Sequence, residues 1–318
     1  MTTDIRLSII IPCYKAAGTI VACLDSLAAQ TVGDLEIIVV DDCSPDDSVS
    51  IVRDYARNHS TLRLRQAIHE VNGGVSKSRN DGVREAAGDY VMFVDADDTL
   101  ERDCCERLLA IAVEHSADCA ACNGWLVAVD GSKSPMKRKG GFMVFSGSDY
   151  ADRQCFASFF DTSCAKVYRR AFLLENHLAF DETLRYGEDT LFANCVALRA
   201  SRLAVDSDYC GYDYIVGVTS VYQTLDVRSR LTALGRLLEA LASVSGGNQR
   251  VLLRKSLETL WTIRKHGGGE RSELVRSLVG TSLWREVIYP SIQRHGRWKH
   301  RVLARLINNG ATCAIVLW

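Results

Sequence analysis

The sequence predicts an α/β fold: a mostly parallel central sheet flanked by helices, followed by a helical C-terminal extension. Strand-like and helix-like stretches alternate four times within the first part of the chain, and the strands are near-continuous apolar runs. Such alternation builds βαβ units, and unbroken apolar strands belong to a sheet covered on both faces. A third observation locates the working edge. Cys13-Tyr14-Lys15, Asp41-Asp42-Cys43-Ser44 and Asp95-Ala96-Asp97-Asp98 each follow directly on an apolar run, and in such sheets ligands bind beyond the strand C-termini.

In order, residues 7–12 read as a buried strand and 19–30 as an amphipathic helix with Ile20, Leu24 and Leu27 on one face. Residues 35–40 give the second strand. Pro45, Asp46 and Asp47 open a helix through Val49, Ile51, Val52 and Tyr55, and 62–65 is a short third strand. A helix over 75–87 closes at Gly88, and 90–94 is the fourth strand. The helix over 103–115 leads to one or two strands within 117–129. Residues 131–141, carrying Lys133, Lys137, Arg138 and Lys139, read as a mobile basic loop or, more simply, as a hairpin connection. Strand character resumes at 142–145 and a helix follows Ser148. Gly187-Glu188-Asp189 then opens an apolar helix containing Leu191, Phe192, Cys195, Val196 and Leu198.

The chemistry concentrates at residues 90–98, where an apolar run enters three carboxylates. Alternation along an extended segment points Asp95 and Asp97 to the same side. Two hard carboxylates suit Mg²⁺ or Mn²⁺, which complete their shells with water and phosphate. The competing reading is a solvated acidic turn before a helix beginning near Glu101, with Asp98 or Thr99 as its N-cap. Glu188 and Asp189 likewise admit two readings, a helix cap or a positioned proton acceptor, and periodicity does not separate them. Residues 12–18 lack GxGxxG, and no GxxxxGK[ST] occurs, which disfavours dinucleotide-binding and P-loop sites.

At 318 residues, 47% hydrophobic and 24% charged, the chain has an ordinary globular composition. Its net charge of −1 hides an asymmetry: residues 1–225 carry 22 Lys and Arg against 33 Asp and Glu, whereas 226–318 carry 16 against 6. The basic tail points to an anionic partner. The 12 cysteines sit at irregular spacings, and the N-terminal apolar stretch carries Asp4 and Arg6 and is short for a signal peptide, so reduced thiols and a cytoplasmic location are expected. Cys119-Ala-Ala-Cys122 has no second pair and reads as buried small residues rather than a metal or redox motif. No apolar run reaches transmembrane length.

From residue 226 the pattern is helical, through Leu231, Leu234, Leu237 and Leu238 and then 251–263, with Gly267-Gly268-Gly269 before a last portion near Ser272. Trp284, Tyr289 and Trp298 are interleaved with Arg285, Arg294, Arg297, Lys299, Arg301 and Arg305, and 314–318 is apolar. That suits peripheral contact with an anionic membrane surface; packed helices with solvated charges fit equally. An acidic body without a recognised nucleic-acid module makes nucleic acid a poorer third reading, and no nucleic-acid partner is expected.

The motifs Ser8-Ile-Ile-Ile-Pro12-Cys-Tyr14, Glu36-Ile-Ile-Val-Val-Asp41-Asp42-Cys-Ser44, Asn72-Gly-Gly-Val-Ser-Lys-Ser-Arg79-Asn80, Asp95-Ala-Asp97-Asp98 and Gly187-Glu188-Asp189-Thr-Leu-Phe192 occur in this order. Over residues 8–222 the chain resembles the family 2 inverting glycosyltransferases of GT-A fold that assemble bacterial polysaccharides. The resemblance implies a catalytic domain over 1–225, with a nucleotide-binding half (1–98) and an acceptor-side half (99–225), and an extension over 226–318. It implies a UDP-sugar donor and a glycan or lipid-linked oligosaccharide acceptor at the cytosolic face of the plasma membrane. Pro12 and Tyr14 would wall the nucleotide pocket, Asp42 would accept from the uracil N–H, and Arg79 would lie near the diphosphate or base. Asp95 would contact the ribose or donor sugar, Asp97 would hold Mn²⁺ or Mg²⁺ with Asp95 beside it, and Asp189 would be the catalytic base. Asp41, Asp98 and Glu188 would support them. Lys15 departs from the Asn usual after the Tyr. Arg294-His-Gly-Arg297-Trp298 has the letters of the processive (Q/R)xxRW motif without its transmembrane helices, and reads as coincidence. A sugar-phosphate nucleotidyltransferase of related fold would need a Gly-rich basic loop after the first strand, and a non-catalytic binding scaffold would not need Asp95, Asp97 and Asp189 intact.

Overall fold

Leu7–Cys13 forms β1 of a computed structural model that describes residues 6–150, 158–184, 186–216 and 271–308, with scattered positions between 231 and 265. Around β1 the predicted alternation is present as α1 (Ile20–Ala28), β2 (Leu35–Asp41), α2 (Ser48–Asn58), β3 (Leu64–Ile68), α3 (Val75–Glu85) and β4 (Tyr90–Phe93). All neighbours in the order β3-β2-β1-β4 are parallel. Both faces are covered, as the unbroken apolar strands require. Ile9, Ile11, Ile37 and Val39 pack with Ile20, Leu24 and Leu27 of α1, and on the other face α3 lies so close that a Cβ on Gly82 would meet Ile10 Cγ2 at 2.3 Å.

Beyond β4 the sheet mixes directions. β5 (Thr99–Leu100), α4 (Cys104–Glu114), β6 (Cys119–Ala128), β7 (Lys133–Pro135), β8 (Phe142–Phe145), α5 (Gly147–Tyr150), β9 (Lys166–Arg169), α6 (Arg170–Glu175), α7 (Glu188–Arg199) and β10 (Leu203–Val216) follow in the chain. β9 is antiparallel to both β4 and β6, β6 is parallel to β10, and β5 pairs antiparallel with β10. Residues 117–129 thus yield one strand, and 131–141 contain a short strand antiparallel to β6, the hairpin reading. Lys133 is fixed there by Glu101 and Asp213 at 2.9 and 2.8 Å.

Three local expectations shift. β3 runs on to Ile68 rather than ending at Arg65. α3 stops at Glu85 because Ala86 is extended (ψ 136°), and Gly88 serves close packing, since a Cβ there would lie 2.8 Å from the Ser8 backbone nitrogen. The helix expected near Glu101 begins at Cys104, and neither Asp98 nor Thr99 caps it. The polar Ser8 and Glu36 inside apolar strands answer one another at the opposite sheet edge: Ser8 Oγ donates to Glu36 at 2.6 Å and Arg65 closes the pair at 2.8 Å.

The chain divides into two compact units, Met1–Thr183 with Glu188–Val218, and Leu184–Gly187 with Thr219–Trp318. In the second, the described helices are α8 (Arg271–Val279), a π turn (Trp284–Ile288), α9 (Tyr289–His295) and α10 (Trp298–Asn308). Leu274, Val275, Trp284, Ile288, Ile292, Leu303, Ala304 and Ile307 are buried, and Trp284 Nε1 donates to Asn308 Oδ1 at 3.0 Å. Trp284 is therefore an internal anchor, not a surface aromatic. Arg285, Arg294, Arg297, Lys299, Arg301 and Arg305 are exposed. The 225/226 boundary, Gly267-Gly268-Gly269 and the apolar 314–318 lie outside the described residues. Among the described residues no helix is long and apolar enough to cross a membrane.

Candidate active site

Sheet register assembles the site. Cys13 pairs with Asp41 and Asp41 with Ile68, so the next residues, Tyr14, Asp42 and His69, leave the C-terminal edge side by side. Pro12 is half-buried and Tyr14 is 47% exposed. Lys15 adopts φ 54°, its backbone N–H donates to Ser44 Oγ at 3.1 Å, and its ammonium lies 5.2 Å from the Tyr14 ring centre. Asn tolerates that left-handed conformation better than Lys, a physical reason for the family's preference at this position.

Asp41 and Asp42 point to opposite faces. Asp41 accepts from the Ser44 N–H at 2.8 Å, and its Oδ2 is buried with no hydrogen-bond partner. Asp42, also buried, accepts from the Gly73 and Gly74 N–H groups at 2.8 and 2.7 Å and bonds His69 Nδ1 at 2.8 Å. Burial raises its carboxyl, but these bonds outweigh burial and hold it below the ordinary aspartate range. Asp42 is an ionised, acceptor-only group at the C-terminal edge of the sheet.

At β4 the same register carries the chain past Phe93 into Asp95, Asp97 and Asp98. Asp95 accepts from Arg79 at 2.9 Å and from the Cys164 thiol at 3.5 Å. Asp98 turns inward, accepting from Tyr212 Oη at 2.6 Å and the Ile215 N–H at 2.9 Å; burial, then Asp95, push it up to about 8. None of the described cationic side chains pairs with Asp97, and desolvation of its carboxyl, then the charge of Asp95, raise it. An aspartate with no cationic partner among the described side chains, beside a second carboxylate, fits a hard divalent cation. No group of three or more His, Cys, Asp or Glu among the described residues forms a metal cluster.

Arg79 unites the two acidic segments. Only 4% exposed, it donates to Asp95 at 2.9 Å and to Glu188 at 3.2 Å, and stacks 5.1 Å from the Phe180 ring centre. Its two terminal nitrogens thus meet carboxylates, and its Nε is buried without a partner. Asn80 bonds the Phe180 backbone on both sides, at 2.9 and 2.8 Å. Phe180 stacks on Phe192 at 4.0 Å, and both meet Phe93 edge-on, which seats α7 on β4. At the start of α7, Asp189 is half-buried; burial, then Glu188, push it up to about 7 against the pull of Arg79. A carboxylate poised near neutrality suits proton abstraction better than capping.

The structure therefore brings Asp95, Arg79, Glu188 and Asp189 together and lines Pro12, Tyr14 and Asp42 along the neighbouring edge. Sequence reasoning missed three residues. His69 follows β3 directly, and the strand-edge rule would have found it had that strand been drawn to Ile68. Tyr212, on β10, gives no local signal. Lys166 is buried in β9, donates to the Cys164 carbonyl at 2.8 Å and is lowered by burial to about 8.

Residues 8–175, more than half of the chain, match the family model of glycosyl transferase family 2. The chain belongs to this family. The glycosyltransferase YibD of Escherichia coli K12, described as uncharacterized, is 34% identical over 254 residues, covering 76% of this chain and 72% of that protein. The poly(ribitol-phosphate) β-N-acetylglucosaminyltransferase TarS of Staphylococcus aureus is 32% identical over 209 residues, 65% of this chain but only 35% of TarS. The crystal structure of S. aureus TarS 1–349 in complex with UDP-GlcNAc superimposes with a TM-score of 0.77 at 23% identity, covering 98% of this chain and 89% of that one. This likeness identifies the GT-A fold, and the family identifies a glycosyltransferase.

Proposed function

We propose that this family 2 glycosyltransferase transfers a hexose or N-acetylhexosamine from a UDP-sugar to a hydroxyl of a glycan acceptor, lipid-linked, in the assembly of a bacterial surface polysaccharide, with inversion at the anomeric carbon. The observation that carries this reading is the Arg79 bridge, which sets a near-neutral carboxylate, Asp189, beside the acidic segment of Asp95 and Asp97. The UDP-GlcNAc complex of TarS supports a uridine nucleotide donor.

Asp42 accepts from the uracil N–H while Pro12 and Tyr14 wall the base. Asp95 bonds the ribose or donor sugar. Asp97, aided by Asp95, would hold Mn²⁺ or Mg²⁺, which when bound neutralises charge gathering on the departing diphosphate. Asp189 takes the proton from the acceptor hydroxyl as its oxygen bonds the anomeric carbon and the bond to UDP breaks. Arg79 holds Asp95 and Glu188 in place, and Glu188 beside Asp189 raises its carboxyl. The exposed Arg and Lys side chains of the last helices dock the protein peripherally on an anionic membrane, where a lipid-linked acceptor resides.

The test is UDP release from a panel of UDP-sugars, with and without EDTA, for the wild type, Asp97→Ala and Asp189→Asn. One donor should turn over, and chelation or Asp97→Ala should remove that turnover. Asp189→Asn should lower transfer by about 10²–10⁴-fold while UDP still binds. Comparable turnover in Asp189→Asn and wild type would remove Asp189 as the base.

A further inference from the structure

His69 is a residue the reaction scheme does not use. Its ring lies between two carboxylates: Nδ1 is 2.8 Å from Asp42 Oδ1 and Nε2 is 2.8 Å from Asp81 Oδ2. The ring thus sits within hydrogen-bond reach of a carboxylate at each nitrogen, and a carboxylate can only accept from whichever nitrogen carries the proton. Asp81 is anchored in turn on α3 by Lys77 at 2.8 Å and by Arg84. The same segment is tied to the edge by backbone and side chain, the His69 N–H donating to the Asp41 carbonyl at 2.9 Å and Asn72 Nδ2 to the Asp42 carbonyl at 3.1 Å.

An aspartate side chain has two torsions, and the Gly73 and Gly74 N–H groups fix its distance from the loop. Each of those N–H groups holds one carboxylate oxygen, and the His69 ring, braced by Asp81 of α3, adds a second hold on Oδ1. We infer that His69 is a positioning residue for donor recognition: braced by Asp81 on α3, it holds the Asp42 carboxylate in the one orientation that accepts the N–H of a uracil-type base and repels the unprotonated ring nitrogen of a cytosine. This inference rests on the proposed role of Asp42 in reading the base. It assigns nucleobase selectivity to the Asp42–His69–Asp81 chain, not to Asp42 alone.

UDP and CDP carry the same diphosphate and differ in what the base offers, so their affinity ratio isolates the effect. Binding of each nucleotide would be measured by calorimetry on the full chain for wild type, Asp42→Asn, His69→Ala, His69→Gln and Asp81→Asn, with thermal unfolding alongside. His69→Ala should weaken UDP about tenfold, the scale of one charge-assisted hydrogen bond. CDP should change little, the UDP/CDP ratio should fall, and turnover at saturating donor should hold within about threefold. His69→Gln, which keeps one donor toward Asp42, should recover part of the ratio, and Asp81→Asn should lower it less than His69→Ala. An unchanged ratio in His69→Ala beside a reduced ratio in Asp42→Asn overturns the inference. So does an equal loss of UDP and CDP binding that follows a lowered unfolding temperature, the mark of a merely structural residue. An unchanged ratio in Asp42→Asn overturns the base-reading role of Asp42 itself.

Discussion

At the scale of single residues, Asp189 and Lys15 make opposite kinds of prediction. Burial and Glu188 lift Asp189 from 3.8 to about 7, and a base works only when ionised, so transfer should rise as pH passes upward through about 7 and level off above it. Arg79 pulls the other way, so Arg79→Gln should move that limb to higher pH; a pH–rate profile checks both. Lys15, at φ 54°, carries a left-handed conformation that Asn adopts more readily. Lys15→Asn should therefore stabilise the protein by up to about 1 kcal/mol, read as a higher urea midpoint. A lower midpoint would mean that the contact of the Lys15 ammonium with the Tyr14 ring outweighs the strain.

At the scale of elements, α3 is the organiser, because it presents Arg79, Asn80 and Asp81 in succession to three different partners. It does so only by lying directly on β1. Gly82→Ala would ordinarily favour a helix by about 1 kcal/mol. Here the added Cβ meets Ile10 Cγ2 at 2.3 Å and should destabilise by about 1–3 kcal/mol, with Arg79 displaced and turnover reduced. Equilibrium unfolding of the variant gives the sign directly. The β1–β4 half was legible in the sequence, because each of its elements has a local apolar period and a local stop signal. The strand-edge rule pointed to the segments holding Tyr14, Asp42 and Asp95, and the register sets Tyr14 and Asp42 side by side on that edge. β9 and β10 were not legible in the same way: their partners are set by tertiary pairing, and Tyr212 reaches Asp98 across 114 positions. A comparable distance in sequence hid the pairing of Arg79 with Glu188, 109 positions further on.

At the scale of the whole molecule, the division of charge matters most. The exposed cations of the last helices should bind anionic vesicles at about 1 kcal/mol for each Lys or Arg near the surface. Co-sedimentation should therefore fall as salt rises from about 0.1 to about 0.5 M. Replacing Arg294, Arg297, Lys299 and Arg301 by Glu should abolish it while leaving UDP binding intact. Binding that ignored both salt and these substitutions would argue against an electrostatic contact. A different consequence follows from where the partners of the acidic segment lie. Arg79 and Asp98 emerge from the ribosome early, yet Glu188 follows Arg79 by 109 positions and Ile215 follows Asp98 by 117. Until those late residues have been synthesised, Arg79 has Asp95 but not Glu188 to meet it, and Asp98 lacks the Ile215 N–H. A chain broken off before β10 thus leaves Asp98 without the Tyr212 hydroxyl and the Ile215 N–H that hold it in the acidic segment.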